Sequence, residues 1–317
     1  FLCQEARANF TPLLETITRI LLAENQTIHP KYLKKLIQIG IRNLIVEDAE
    51  SKGITLEEMI DVPSWLDIVS LVQQAFEAAA AKKPLPIKPL LQGAGILINE
   101  IQRRSLVLPI PSTTIDENLK TYAHSVNVTI YALQVGKVLG YNELMLRDLA
   151  VGCLLHDIGK ARSPEEKGHP ETGFSILRNN REISLLAAHI AYQHHESLDG
   201  TGYPRSIHGQ DFHEYAQICG LCNLYEHQIA NNPPHEVMEM VMTLSGTAYS
   251  TEVLQAFVRA VPAYPPGTKI LLQDGKEAIV TKITSHLQRP VVRCLSTGEE
   301  ISLAEQPTVM IVGTAND

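Results

Sequence analysis

Through the middle of this chain apolar residues recur at spacings of three and four, and only near its end do they alternate at a spacing of two. The first period predicts helices and the second predicts strands. The helical period is strongest between residues 112 and 262, where Asn127–Leu139 and Glu143–His156 each set their apolar residues three and four apart. Upstream, residues 51–110 are also mostly helical in pattern. There the Ala-rich stretch Gln74–Ala81 runs into a proline-broken connector, KKPLPIKP, which reads as a hinge or linker. In the first 50 residues Thr27 is placed to cap a helix over Tyr32–Ile39, Gly40 to end it, and Asn43–Val46 to form a strand. Beyond Val261 the pattern changes: YPPGTKILLQDGKEAIVTKI reads as strand, Asp-Gly turn, strand, and VVRCLSTGEEISL and TVMIVG continue it. The expected fold class is mainly α, a helical bundle with a small N-terminal segment and a small β-rich C-terminal tail packed on it. Four regions follow: an α/β segment over 1–50, a helical linker or regulatory region over 51–111, the principal helical domain over 112–262, and the β-rich tail over 263–317.

Composition narrows the class. The chain has 317 residues, 44% of them hydrophobic and only 5% aromatic, so its core must rest on aliphatic side chains. A formal net charge of −8 gives no general attraction for nucleic-acid backbones or anionic lipid, so neither a nucleic-acid polymer nor a membrane is an expected partner. Bound metal ions would reverse the local sign and admit a small anionic substrate. The five cysteines are an odd, scattered set, which suggests a reducing compartment. Cys219 and Cys222 form a CxxC, but they lie in an apolar helical stretch where cysteine is a small core residue. No run is apolar enough to span a bilayer, and FLCQEARANF lacks the features of a signal peptide, so a cytoplasmic location is expected.

Chemistry concentrates in the histidines. Of 12, six lie between His124 and His195: His124, His156, His169, His189, His194 and His195. His156 and Asp157 stand together at the end of an apolar helix, where burial costs free energy unless both are paired or metal-bound. Gly159 lets the chain turn and Lys160 returns a cation to the same spot. His194 and His195 are consecutive, which on a helix sets them about 100° apart and suits two metal ions, or one ion approached from two sides. His169 precedes a helix starting near Pro170, a favoured place for proline, and His124 is early in TYAHSVNVTIYAL. Imidazoles with a carboxylate able to bridge suit iron, manganese, nickel, cobalt or zinc. Two such ions roughly 3.5–4 Å apart can clamp a phosphodiester.

HSVNV, LLHDIGK, GHPETG and QHHESLDGTGYP, in that order, resemble the signatures of the HD-GYP family, a branch of the metal-dependent HD phosphohydrolases. The resemblance covers residues 112–262, and the tail beginning YPPGTKI, with RPVVR beyond it, is similar to the family's C-terminal end. It implies an HD-type helical bundle holding a bi- or trinuclear metal centre that hydrolyses cyclic di-GMP to the linear dinucleotide or onward to GMP. It places His124, His156, Asp157, His169, His194 and His195 at metal-ligand positions, with Asp157 the bridging carboxylate and Lys160 beside the phosphate. Two divalent transition-metal ions, iron or manganese first, are the implied cofactors. Gly202, Tyr203 and Pro204 form the GYP loop, a candidate contact for a GGDEF-type protein, and a homodimer is compatible with the pattern.

The chain departs from the family at several positions. Asn223 stands where a ligating Asp is usual, offering a carbonyl oxygen but no charge. Lys120 stands where members with a third ion carry a Glu, and Glu117 is a turn further away. The basic residues that usually meet the substrate phosphates do not show in ANNPPHEV, and the connector from Lys160 to His169 is short. His189 reads as a core-edge histidine, and His227, four residues after Asn223, is a candidate compensating ligand. Three readings therefore stand: an active cyclic-dinucleotide phosphodiesterase, a receptor or interaction module with little turnover, and a wider HD phosphohydrolase acting on mononucleotides or alarmones.

Overall fold

The structure is a computed structural model that describes residues 7–8, 15–16, 19–20, 26–27, 49–55 and 57–315. It divides into two compact units, residues 58–261 and residues 1–57 with 262–317. The helix over Tyr32–Ile39 and the strand over Asn43–Val46 lie outside the described residues. Thr27, expected to cap that helix, belongs instead to a short strand. That strand, β4 (Gln26–Thr27), pairs antiparallel with β1 (Arg7–Ala8), and β2 (Glu15–Thr16) pairs with β3 (Arg19–Ile20).

The 58–261 unit is helical: α1 (Val62–Ala80), α2 (Ile87–Arg103), α3 (Lys120–Val138), α4 (Glu143–Leu154), α5 (His169–Leu177), α6 (Leu185–Gln193), α7 (Glu214–Ile229), α8 (Pro234–Met242) and α9 (Thr251–Ala260). Local chemistry starts several of them. Asp61 accepts from the Ser64 N–H at 3.0 Å ahead of α1, Asn142 accepts from the Met145 N–H ahead of α4, and Ser184 from the Ala187 N–H ahead of α6. The connector KKPLPIKP is only partly a linker, because Ile87, Lys88 and Pro89 already form the first turn of α2. A proline there forfeits no intrahelical hydrogen bond. α3 is the central element, with every residue from Ala123 to Gly136 buried. A helix covered on all sides must be apolar or internally satisfied all round, and its neighbours α1, α2, α4, α7 and α9 supply the cover. α1 and α2 thus share one core with the helices that follow, with Trp65 of α1 fully buried.

The other unit contains the predicted hairpin. β5 (Lys269–Leu272) and β6 (Glu277–Lys282) pair antiparallel across the Asp274-Gly275 turn, with Ile270 opposite Ala278. With β7 (Val291–Cys294), β8 (Glu300–Ser302) and β9 (Ile311–Thr314) they form a five-stranded sheet in the order β8-β7-β6-β5-β9. Ile270, Leu272, Ala278, Val280, Val292, Cys294 and Leu303 make its core. This tail groups with N-terminal residues rather than with the helices: Lys269 pairs with Glu50, and Arg293 donates to the Lys52 carbonyl at 3.0 Å.

Candidate metal centre

Five places in the helical unit converge on one carboxylate. α4 ends at Leu154, slightly before the His156 end the periodicity suggests. The Leu155 and His156 N–H groups bond to Gly152 and Cys153 carbonyls, three residues back, and a short 3₁₀ turn, Ile158–Ala161, follows. This tightening buries His156 and Asp157, 0% and 1% exposed, and brings Lys160 back over them. Gly159 makes the site's closest approach: a Cβ there would sit 1.9 Å from the His169 carbonyl oxygen, so α5 can begin against this turn only because the side chain is missing. α3 contributes His124, α5 its first residue His169, α6 its cap His194 with His195 beyond, and α7 Asn223.

The two oxygens of Asp157 face different groups. Oδ1 lies 3.2 Å from His169 Nε2 and 3.5 Å from His194 Nε2, while Oδ2 lies 3.5 Å from His156 Nε2 and 2.5 Å from Lys160 Nζ. Asp157, His169, His194 and His195 form one group of potential ligand atoms within 4.8 Å of one another, and His124, His156 and Asp157 form another. Asp157 belongs to both. Asn223 joins the second, its Oδ1 2.8 Å from His124 Nε2.

Hydrogen bonding fixes which nitrogens are free. His156 Nδ1 donates to the Cys153 carbonyl at 2.8 Å, and His194 Nδ1 to the Ala191 carbonyl at 3.0 Å. Each Nε2 then carries a lone pair, and both point at a carboxylate that also carries lone pairs. His169 Nε2 and His194 Nε2 are 3.2 Å apart. His156 Nε2 and Asp157 Oδ1 are buried without a hydrogen-bond partner among the described residues. Converging, unpartnered lone pairs in a buried place are what a cation would relieve, so the donor set fits divalent metal ions. Protonation is poor relief here. Burial pushes His156 well below its ordinary pKa, and burial first, then neighbouring histidines, pushes His195 down. The Asp157 carboxyl is held well below the usual range, because its histidine neighbours outweigh the cost of burial.

Behind His124 stands a network the sequence reading missed. Burial works against charge on His124, but Glu226 outweighs it and raises the pKa: Oε2 of Glu226 is 2.5 Å from His124 Nδ1. The other Glu226 oxygen accepts from Asn127 Nδ2 at 3.1 Å. Asn127 also donates to the Ile110 carbonyl at 2.8 Å and accepts from Trp65 Nε1 at 3.0 Å. The available signal was an acid within a buried helical run, which demands a partner. Glu196 was missed as well. It is buried and accepts from the Arg205 and Ile207 N–H groups at 2.8 and 3.2 Å, tying down the loop that carries Gly202, Tyr203 and Pro204. A Cβ on Gly202 would meet the Glu196 backbone at 2.4 Å. So held, the Tyr203 ring stacks on His195, 4.6 Å between centroids.

The remaining candidates fall elsewhere or pair differently. His189 packs against Phe174 at the edge of α6, away from the centre. Lys120 lies 3.8 Å from Glu117 in a partly exposed ion pair. Cys219 and Cys222 are free and buried in α7, as core residues should be.

Fold and site together define a helical domain with a donor cluster that fits metal ions, and comparison with known proteins shows what it is similar to. Residues 121–230 match the family described as HD domain. The chain is 27% identical over 181 residues to a cyclic di-GMP phosphodiesterase of Pseudomonas aeruginosa, covering 50% of this chain and 44% of that one. It is 29% identical over 165 residues to a cyclic di-GMP phosphodiesterase of Thermotoga maritima, covering 45% of each. The match thus spans less than half the length of these relatives. Among solved structures, an HDG"Y"P protein of Bdellovibrio bacteriovorus superposes with a TM-score of 0.53 at 21% identity, covering 72% of this chain and 77% of that one, which supports the same fold. Among the described residues no helix is long and apolar enough to cross a membrane.

Proposed function

We propose that this protein is a metal-dependent phosphodiesterase that hydrolyses cyclic di-GMP to linear pGpG, or onward to GMP, at a binuclear centre. The observation that carries the reading is Asp157, whose two oxygens face two separate histidine groups. His169, His194 and His195 would hold one divalent ion on the Oδ1 side. His124, His156 and Asn223 would hold the other on the Oδ2 side. When bound, such ions act as Lewis acids on the phosphate and lower the pKa of water. The chain's own part is to fix that geometry. Asp157 would bridge, the Nδ1 bonds of His156 and His194 aim their Nε2 lone pairs inward, and Glu226 aims His124. Lys160, its side chain 35% exposed, sits on Asp157 Oδ2 with its ammonium still open to a phosphate oxygen, where it would steady developing negative charge. Residues 112–262 would be the catalytic domain, and Gly202, Tyr203 and Pro204 a contact for a GGDEF-type protein.

A second reading is favoured by Asn223. With a neutral oxygen in place of a carboxylate, the Oδ2 side would hold its ion weakly, and the domain would serve as a cyclic-dinucleotide receptor or interaction module with little turnover. One experiment separates the two. Purified protein is reconstituted anaerobically with iron(II) or manganese, incubated with cyclic di-GMP, and the products are resolved by chromatography. Linear dinucleotide that disappears in Asp157→Ala supports the phosphodiesterase. Two bound ions and no product support the receptor. A panel of mononucleotides and alarmones turned over in preference to cyclic di-GMP would reject both.

A further inference from the structure

We propose that His227 is a ligand of the ion on the Oδ2 side, so that α7 presents two donors, Asn223 and His227, where one would be too weak. The inference rests on the metal-centre reading above. Four residues separate the two on a regular helix, which places them one above the other on the same face. The His227 ring lies against the His124 ring, 4.2 Å between centroids and 28° between planes. Potential ligand atoms of His124, Glu226 and His227 all fall within 4.8 Å of one another. In that group the carboxylate is already committed, one oxygen to His124 Nδ1 and the other to Asn127 Nδ2. His227 is the member left to coordinate; its group shares His124 with the Oδ2 side but not His156 or Asp157, so its exposed ring would turn toward that ion while α7 stays in place.

The chemistry explains why an extra donor is wanted here. The Oδ2 side has two imidazoles, a neutral amide oxygen, and a carboxylate oxygen shared with the Lys160 ammonium. A third imidazole adds a strong donor for a first-row transition metal without adding charge, and it suits such ions better than another carbonyl.

The test measures manganese(II) binding to the full chain by equilibrium dialysis and elemental analysis, without reference to turnover. His227→Ala is expected to leave one ion per chain bound as in the unsubstituted protein, and to weaken the second about tenfold or more. His227→Phe keeps a ring against His124 and is expected to behave like His227→Ala. Wild-type binding of both ions in His227→Ala, with binding lost in Asp157→Ala, would overturn the His227 assignment alone. Full recovery in His227→Phe would also overturn it, because stacking would then account for the residue. If Asp157→Ala binds manganese as the unsubstituted chain does, the metal-centre reading itself fails. Thermal melting of each metal-free variant confirms that a lost ion is not a lost fold.

Discussion

The two sides of Asp157 are built differently. On the Oδ1 side three imidazoles, His169, His194 and His195, come from the start of one helix and the end of another, and Tyr203 packs on the outermost ring. On the Oδ2 side the donors come from α3, the turn after α4, and α7, and they are backed by a buried chain from Trp65 through Asn127 and Glu226 to His124. The first side relies on the strength of its donors. Leaving aside the His227 proposed above, the second has weaker donors and a competing ammonium, but its geometry is the more firmly held. If two ions bind as proposed, they should therefore load unevenly, the Oδ1 side first. Turnover by the proposed two-ion mechanism would then be limited by the Oδ2 side.

The largest effect should come from the residue the sides share. Asp157→Asn keeps the shape but removes the charge on which both groups depend. It is expected to reduce bound metal from two ions per chain to less than one, and to cut cyclic di-GMP hydrolysis by about a thousandfold or more. Elemental analysis and product chromatography check this together. Two ions retained in that variant would mean Asp157 does not bridge. His194→Ala should be more selective, losing the Oδ1-side ion while the remaining ion binds within a few-fold of its original affinity. Equal weakening of both would erase the distinction between the sides.

Much of the centre was legible because its residues come in short local words. HD followed by Gly159 and Lys160, the consecutive pair His194 and His195, and His169 before Pro170 each state chemistry and backbone need within a few positions. The helical period placed α3 and α4 for the same reason. What escaped depends on long-range pairing. Asn127 lies inside HSVNV, yet its partners are Trp65, 62 residues before it, and Glu226, 99 residues after it. No periodicity brings those together. Glu226 reads locally as a polar residue on a helix, and only the packing of α7 against α3 makes it a buried carboxylate. The connector before α2 was misjudged on composition: two of its prolines precede the helix, and Pro89 falls where a helix tolerates one.

A smaller and opposite effect should follow from Asn223→Asp. The added charge gives the Oδ2 side a second carboxylate, and a charge-assisted ligand should tighten that ion by about tenfold. The Oδ1 ion should hardly change. Manganese titration resolves the two steps, which should move closer together as the asymmetry is relieved. If the weaker step stays where it was, Asn223 does not contact the ion, and the weakness of that side has another source.

The smallest effect tests whether the buried chain behind His124 is structural support or part of the centre. Trp65→Phe retains the ring packing of α1 on α3 but removes the indole N–H, leaving the Asn127 oxygen buried without its donor. The stability cost should be about 1–3 kcal/mol, read from the denaturant midpoint of the metal-free protein. Asn127 is then free to turn its amide. If it does, Glu226 loses a donor and His124 is held less firmly, so affinity on the Oδ2 side should fall a few-fold while the Oδ1 side keeps its value. Loss of stability with both affinities unchanged would make Trp65 and Asn127 parts of the core alone. A change confined to the Oδ2 side would show that α1 reaches the candidate metal centre through hydrogen bonds. A segment acting on that helix could then tune one ion without touching the other.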